Sequence, residues 1–493
     1  MIKITDTALR KQDNFWCQCV FHPTDAIEDP WGRCILDTMA EDGAINTVRM
    51  YSMFEDIVYL DGEGKLAFDY RLSDLRIDYM IEKGYRLLIA YAGIPDCLAS
   101  ETKNVNVSAK SKTRYKGKLW NTAAPKDYAQ WEEICYEYTK HLVERYGIDT
   151  VASWRMQCFN EPDHTYLLSG LTGEGAWAER LAIYTKLYEG FARGICRVSE
   201  RIPIGGPALA VNRRFLGGLL DYIKEHDLKI DFVSTHYYGT TPKWLKEKTR
   251  PIKVSDLLTR HAGHLEVLRA HGFGHLPVLM DEWGMACAGF ANKEDAPELM
   301  VREGEVFSAY YVRLVRALLD LEQSPEALMI CLSGQHEMTE DFTGFRGFFT
   351  LNFIRKPIYN AHLLASRLKE TLLDVSTESQ ALSVIPTRDE RGGYAVLLSY
   401  TNDECESPLE DRDETLVFEG DVSGKTLTVY CIDKEHTNPY RLWQRDGEPT
   451  VLTDGQLAAY REASKIKPVC VMPAVKELPL HLTANATYLI TVE

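Results

Sequence analysis

No apolar run approaches the ~18 residues that a membrane-spanning helix needs. The 493 residues are 45% hydrophobic and 26% charged, the balance of a soluble globular protein. The opening stretch, MIKITDTALRKQDNFW, lacks the basic segment, long apolar segment and small-residue cleavage site of a secretory signal. None of the 12 cysteines stands in a CxxC pair, which leaves structural zinc and dithiol exchange without their usual ligands. Buried free thiols in a reducing cytoplasm are expected instead. HExxH, a Walker lysine loop and a GxGxxG between strand and helix are also missing, so no metal or other cofactor is expected. Basic residues number 56 against 72 acidic ones, and the net charge of −16 argues against nucleic acid as a partner and for an uncharged substrate. One basic stretch runs against that trend, with Lys103, Lys110, Lys112, Arg114, Lys116 and Lys118, and reads as a solvated loop. There is no internal repeat or low-complexity tract.

What is present is a regular alternation of strand-like and helix-like segments. WCQCVF, NTVRMYSM, YRLLIAYAG, VASWRMQCF, IPIGGPAL, IDFVSTHYYG, LPVLMDEWG and ALMICLSG read as buried strands. Between them lie amphipathic segments such as DYAQWEEICYEYTKHLVERYG, where Trp131, Cys135, Tyr138, Leu142 and Val143 fall at helical spacing and Gly147 supplies a stop. Eight strands joined by helices predict an α/β fold, a closed (β/α)8 TIM barrel over 14–355. A connecting helix follows over 356–369, beginning at Pro357. Beyond it, period-2 runs such as YAVLLSYTN and KTLTVYCID, separated by turn residues, predict an antiparallel β-sandwich over 370–493. IKITDT, within 1–13, is expected to add a strand to it. An exposed edge of that domain would suit a homo-oligomer.

Barrel geometry gathers the C-terminal ends of all strands around one mouth. Glu161, after the fourth strand, and Glu282, on the seventh, would then face each other across it, as a glycosidase requires of its two carboxylates. Glu161 is the expected proton donor, because a carboxyl facing an ionised carboxylate in a partly dry pocket has its pKa raised by both effects. Its neighbour Asn160 carries an amide suited to a sugar 2-hydroxyl. Glu282 is the expected nucleophile. Asp281 competes for that role, and strand alternation places it on the opposite face, as a structural hydrogen-bonder. His236 on the sixth strand suits a sugar hydroxyl or the orientation of the nucleophile, and Tyr238 offers a stacking face. Arg49 on the second strand is expected to pair with a catalytic carboxylate and keep it anionic, with Tyr51 near it at the rim. His22 after the first strand and Trp283 beside Glu282 join the expected substrate-binding set. His261, His264 and His271 fall in what reads as a surface helix rather than a metal site.

In order and spacing, VRMYSMFEDI, HLVERYGID leading into NEP, IGGPA, DFVSTHYY, DEW and KPIYNAHLL resemble glycoside hydrolase family 39, the β-xylosidases and α-L-iduronidases of clan A. The resemblance spans most of the chain. It implies a retaining double displacement in which Glu282 attacks the anomeric carbon and Glu161 serves as acid and then base. It also implies a β-sandwich beside the barrel, and a further sugar-binding acid at Glu337. The family's Arg-x-His on the second strand stands here as Arg49-Met50-Tyr51, and its tryptophan and aspartate around the eighth strand as Leu332 and Gly334. Both departures line the sugar pocket and leave the cleaved sugar open; an exo-acting β-xylosidase on short oligosaccharides or glycosides is the leading expectation, with α-L-iduronidase-, α-L-arabinosidase- or β-glucosidase-like activity as alternatives. From another class comes a catalytically silent carbohydrate-binding barrel, since fold and function are separable.

Overall fold

Strands that are apolar on both faces need cover on both sides, and the eight runs obtain it by closing on one another inside a ring of helices. The computed structural model describes residues 1–21, 27–28, 30–101, 104–106, 119–164, 166–287, 291–332 and 338–493; His22, Gly334, Glu337 and the basic positions 103, 110, 112, 114, 116 and 118 lie outside them. The barrel strands, first to eighth, are Gln18–Val20, Thr47–Tyr51, Arg86–Tyr91, Arg155–Cys158, Ile204–Leu209, Phe232–Thr240, Val278–Ala286 and Ala327–Cys331. Each pairs in parallel with the next, and the eighth returns to the first through Met329 opposite Gln18.

The helix Tyr128–Tyr146 shows how sequence sets the elements. Asp127 accepts the N–H groups of Ala129 and Gln130 at its start, and Gly147, at φ 80°, ends it. Its inner face buries Trp131, Ile134, Cys135, Tyr138, Thr139 and Leu142. The helix Val254–Ala270 differs from the sequence expectation of a surface element, because His261 and His264 are buried beneath it. Both ring Nδ1 atoms face the Tyr237 hydroxyl, at 3.3 and 2.8 Å, and burial pushes the His264 pKa down to about 3. His271, at the end of that helix, lies 2.6 Å from Asp221.

Nine strands form the second domain. Ile2–Lys11 runs antiparallel to Thr371–Thr377 and parallel to Arg412–Phe418, so the sheet is mixed at that point and antiparallel elsewhere. Alternation along Tyr394–Tyr400 sends Val396 and Leu398 into this domain's own core, shared with Ile2, Ile4, Leu416 and Ile490, while Ala395 and Leu397 join the barrel's apolar cluster. Two helices, Pro439–Arg445 and Asp454–Ala463, interrupt the strand succession, which the period-2 reading did not anticipate. Their Tyr440, Trp443 and Tyr460 pack on Phe342 and Ile354 of the chain that follows the eighth barrel strand. No helix among the described residues is long and apolar enough to cross a membrane.

Candidate active site

After the fourth strand the chain must turn sharply over the barrel rim, and it does so with two non-glycine residues in left-handed backbone, Phe159 at φ 66° and Glu161 at φ 44°. Such conformations cost on the order of 1–3 kcal/mol each and persist only where neighbours impose them. The neighbours are identifiable. The Phe159 N–H donates to the Tyr91 carbonyl and that of Glu161 to the Ala208 carbonyl, at 3.0 and 3.1 Å. Asp163 then accepts the backbone N–H groups of Ala210, Val211 and Asn212 at 2.8–2.9 Å, clamping this turn to the one after the fifth strand.

Across the mouth, all nine residues of the seventh strand are buried, and its register against the eighth slips between Met280 and Trp283. That irregularity overturns the alternation reading of Asp281. Both carboxylates reach Arg49, with Glu282 Oε1 at 2.8 Å from Nη1 and Asp281 Oδ2 at 3.2 Å from Nε. Trp283 takes the other side of the strand: its ring stacks on Tyr311 and meets Phe307 edge-on, both from helix Glu305–Leu319, and it does not join the cluster.

Arg49 organises the floor. It is fully buried and donates to Gln157 Oε1, Tyr51 Oη, Glu282 Oε1 and Asn160 Oδ1 at 2.8–2.9 Å. The Tyr51 hydroxyl lies 3.1 Å from Asn160 Oδ1 and 3.3 Å from Glu282 Oε1, and at 4% exposure this residue belongs to the floor rather than the rim. Gln157 donates from Nε2 to Asp281 Oδ2 and Ser234 Oγ, both at 2.6 Å. Above that layer, His236 stands between the two glutamates, its Nδ1 2.7 Å from Glu161 Oε1 and 3.6 Å from Glu282 Oε2. Tyr238 donates its hydroxyl to Glu282 Oε2 at 2.7 Å and receives Arg346 Nη1 at 2.6 Å. One donor atom each from Glu161, His236 and Glu282 falls within a 4.8 Å span.

The charges explain the protonation states. Burial works to raise the Glu282 pKa, but His236, Arg49 and Arg346 outweigh it and, with the Tyr238 hydrogen bond, hold this carboxyl well below the usual range. For His236 the burial effect works downward, yet Glu282 and Asp281 hold its pKa well above the ordinary imidazole value. A cation could be received by the Glu161, His236 and Glu282 trio, or by Cys431, Asp433 and His436 in the second domain. In both, the donor atoms already bond within the protein, Asp433 accepting from the Cys431 thiol and the backbone of Glu435 and His436.

Of the residues singled out from sequence, the structure brings together Glu161, Glu282, Asn160, His236, Tyr238, Arg49 and Tyr51; His22 and Glu337 lie outside the described residues. Leu332 is fully buried. Gln157, Tyr166 and Arg346 went unrecognised. Gln157 carried a signal, an amide inside a buried strand, whereas Tyr166 and Arg346 sit in irregular chain with none. The charges of both glutamates push the Tyr166 pKa up further than burial alone does.

The chain is 27% identical over 475 residues to a β-xylosidase of Caldicellulosiruptor saccharolyticus, covering 93% of this chain and 90% of that one. It is 24% identical over 414 residues to a β-xylosidase of Geobacillus stearothermophilus, covering 80% and 73%. In fold it is similar to a monomeric β-xylosidase from Caulobacter crescentus CB15, with a TM-score of 0.84 at 21% identity, covering 100% of this chain and 99% of that one. The family profile described as Glycosyl hydrolases family 39 matches residues 1–476, so the chain belongs to that family of glycoside hydrolases.

Proposed function

We propose that this protein is a retaining, exo-acting, β-xylosidase-like hydrolase that removes terminal sugars from short oligosaccharides or glycosides. One observation carries the reading: Glu161 and Glu282 approach from opposite sides of the barrel mouth until an oxygen of each falls within 4.8 Å. Retaining enzymes hold their carboxyl groups ~5–5.5 Å apart, and inverting ones leave ~6.5–9.5 Å for a water.

In the first step Glu282, kept anionic by its cationic neighbours, attacks the anomeric carbon while Glu161 gives a proton to the departing glycosidic oxygen. The 2.7 Å contact between His236 Nδ1 and Glu161 Oε1 holds the acid in place and stabilises the carboxylate it becomes. In the second step that carboxylate takes a proton from water, whose oxygen attacks the anomeric carbon and releases Glu282. With its Oδ1 taken by Arg49 and Tyr51, Asn160 presents its NH2 to the sugar 2-hydroxyl, a bond that strengthens as the ring flattens. The two β-xylosidase relatives support xylosides as the first substrates. The 12 cysteines, all free thiols and most of them buried, support a reducing compartment.

The test combines a panel of aryl β-xylosides, β-glucosides, α-L-arabinosides and α-L-iduronides with NMR of the first-formed anomer. Retained configuration is expected, and inverted product would overturn the mechanism. Glu282→Ala rescued by azide should give the glycosyl azide of inverted configuration, whereas Glu161→Ala with azide should give the retained one. Absence of turnover on every glycoside would favour a silent binding barrel.

A further inference from the structure

Arg346 helps to keep Glu282 anionic by its charge, and its contact with Tyr238 gives it a second connection to that carboxylate. Arg346 lies in irregular chain after the eighth strand, and that chain is fixed by buried charge. Glu303 Oε1 accepts the Gly344 N–H at 2.6 Å and Lys356 Nζ at 2.8 Å, Lys356 donates to the Phe345 carbonyl at 3.0 Å, and Arg302 donates to the Gly344 carbonyl at 3.0 Å. Both backbone units before Arg346 are thereby held. Its guanidinium sits 5.2 Å above the Tyr238 ring centroid, with Nη1 2.6 Å from the Tyr238 hydroxyl.

A guanidinium has only donors, whereas a phenolic hydroxyl has one proton and also accepts. With Arg346 occupying its lone pair, the Tyr238 hydroxyl can satisfy the contact only by accepting, and its single proton is directed at the other neighbour, Glu282 Oε2 at 2.7 Å. We propose that Arg346 is a positioning residue that commits the Tyr238 proton to Glu282, setting how readily that carboxylate attacks in the first step and departs in the second. The inference rests on Glu282 being the nucleophile.

Arg346 must be separated from the other groups that face Glu282. These are Arg49 and Tyr51 from the second strand, Glu161 after the fourth, His236 and Tyr238 on the sixth, Asp281 beside it, and Tyr166, with Cys331 on the eighth strand facing Arg346 itself. Arg346 also acts on Glu282 directly through its charge, so only the part of its effect that disappears when the Tyr238 hydroxyl is removed travels through the proposed route. The experiment is therefore a double-mutant cycle on Arg346→Met and Tyr238→Phe, read as the acid limb of kcat/KM against pH, with Arg346→Lys as the variant that keeps a donor. Arg346→Met is expected to raise the limb by about one pH unit, a tenfold loss of kcat/KM on the acid side. Arg346→Lys should restore most of it, and in the Tyr238→Phe background Arg346→Met should shift the limb clearly less, leaving only the direct effect of its charge on Glu282. An unshifted limb, or equal shifts in both backgrounds, overturns the proposal; if Arg346→Met does not fold, a limb in Arg346→Lys unresponsive to Tyr238→Phe does the same. Labelling the wild type with a 2-fluoro glycoside tests the underlying assignment separately, since attachment away from Glu282 removes the nucleophile itself.

Discussion

Arg49 shows how a single residue can fix a site. Its planar fork meets two amides, a phenol and two carboxylates, a geometry that a lysine point charge does not reproduce. A lysine keeps the charge but cannot reach Glu282 and Asp281 together as the fork does, and breaking a buried ion pair costs roughly 3–5 kcal/mol. Arg49→Lys is therefore expected to lower kcat/KM by at least 100-fold, on the order of 3 kcal/mol, and to raise the acid limb of its pH profile. The stability curve should move with it. Glu282 is depressed, so its contribution is present above the ordinary glutamate value, ~4.3, and is lost as pH falls through the folded value. His236 is raised, so its contribution is full below ~6.5 and is lost as pH rises through the folded value. Unfolding midpoints across pH should thus fall earlier on the acid side in Arg49→Lys, and an unmoved acid limb would show that Arg49 does not set the charge of Glu282. The placement of Glu161, Glu282 and Arg49 was legible in the sequence, because an ionisable group in or at the end of an apolar strand is too costly to bury without a partner, and Asn160 was legible from its place beside Glu161. The register slip beside Asp281 was not legible: bulges depend on the neighbouring strand, and no pattern within LPVLMDEWG announces one.

Elements matter to the site mainly through the chain that follows the eighth strand. The helix Pro357–Ala365 was readable from Pro357 and the apolar run behind it. Its preceding residue, Lys356, reaches back to a carboxylate distant in sequence, and local pattern carries no trace of that contact. Lys356 is 0% exposed, as is Glu303, and burial pushes the lysine pKa down even though Glu303 opposes it. Lys356→Met would strand Glu303 in the interior and is expected to cost roughly 3–5 kcal/mol, measured by denaturant unfolding. Replacing both partners by apolar residues should recover much of that loss. A single variant as stable as wild type would show that the pair does not brace the loop. Gly344 makes a second test of the same loop. It sits at φ +79°, and a Cβ there would lie 3.1 Å from the Leu299 backbone. Gly344→Ala should therefore destabilise by more than ~1 kcal/mol and lower activity through displacement of Arg346.

At the scale of the whole molecule, the order of segments along the chain decides how the two domains behave. The strand Ile2–Lys11 precedes the barrel yet sits inside the second domain's sheet, joining Thr371–Thr377 to Arg412–Phe418. IKITDT suggested a strand there, but its parallel pairing with Arg412–Phe418 depends on a partner that the sequence does not mark. Helix Glu305–Leu319 then ties the sheet to the barrel, Arg313 donating to the Gln380 and Thr401 carbonyls and Arg316 to that of Val384. The same helix packs on Trp283, one residue from Glu282. A weakened sheet should therefore be felt at the active site rather than confined to an appendage. Ile4 is fully buried in the sheet's core, and Ile4→Ala is expected to cost about 2–5 kcal/mol. If the domains unfold as one unit, loss of activity, far-UV signal and tryptophan fluorescence should shift together to a lower temperature in this variant, with coincident midpoints. A sheet transition that moves while the activity midpoint stays at its wild-type value would show that the barrel holds its site without help from the second domain.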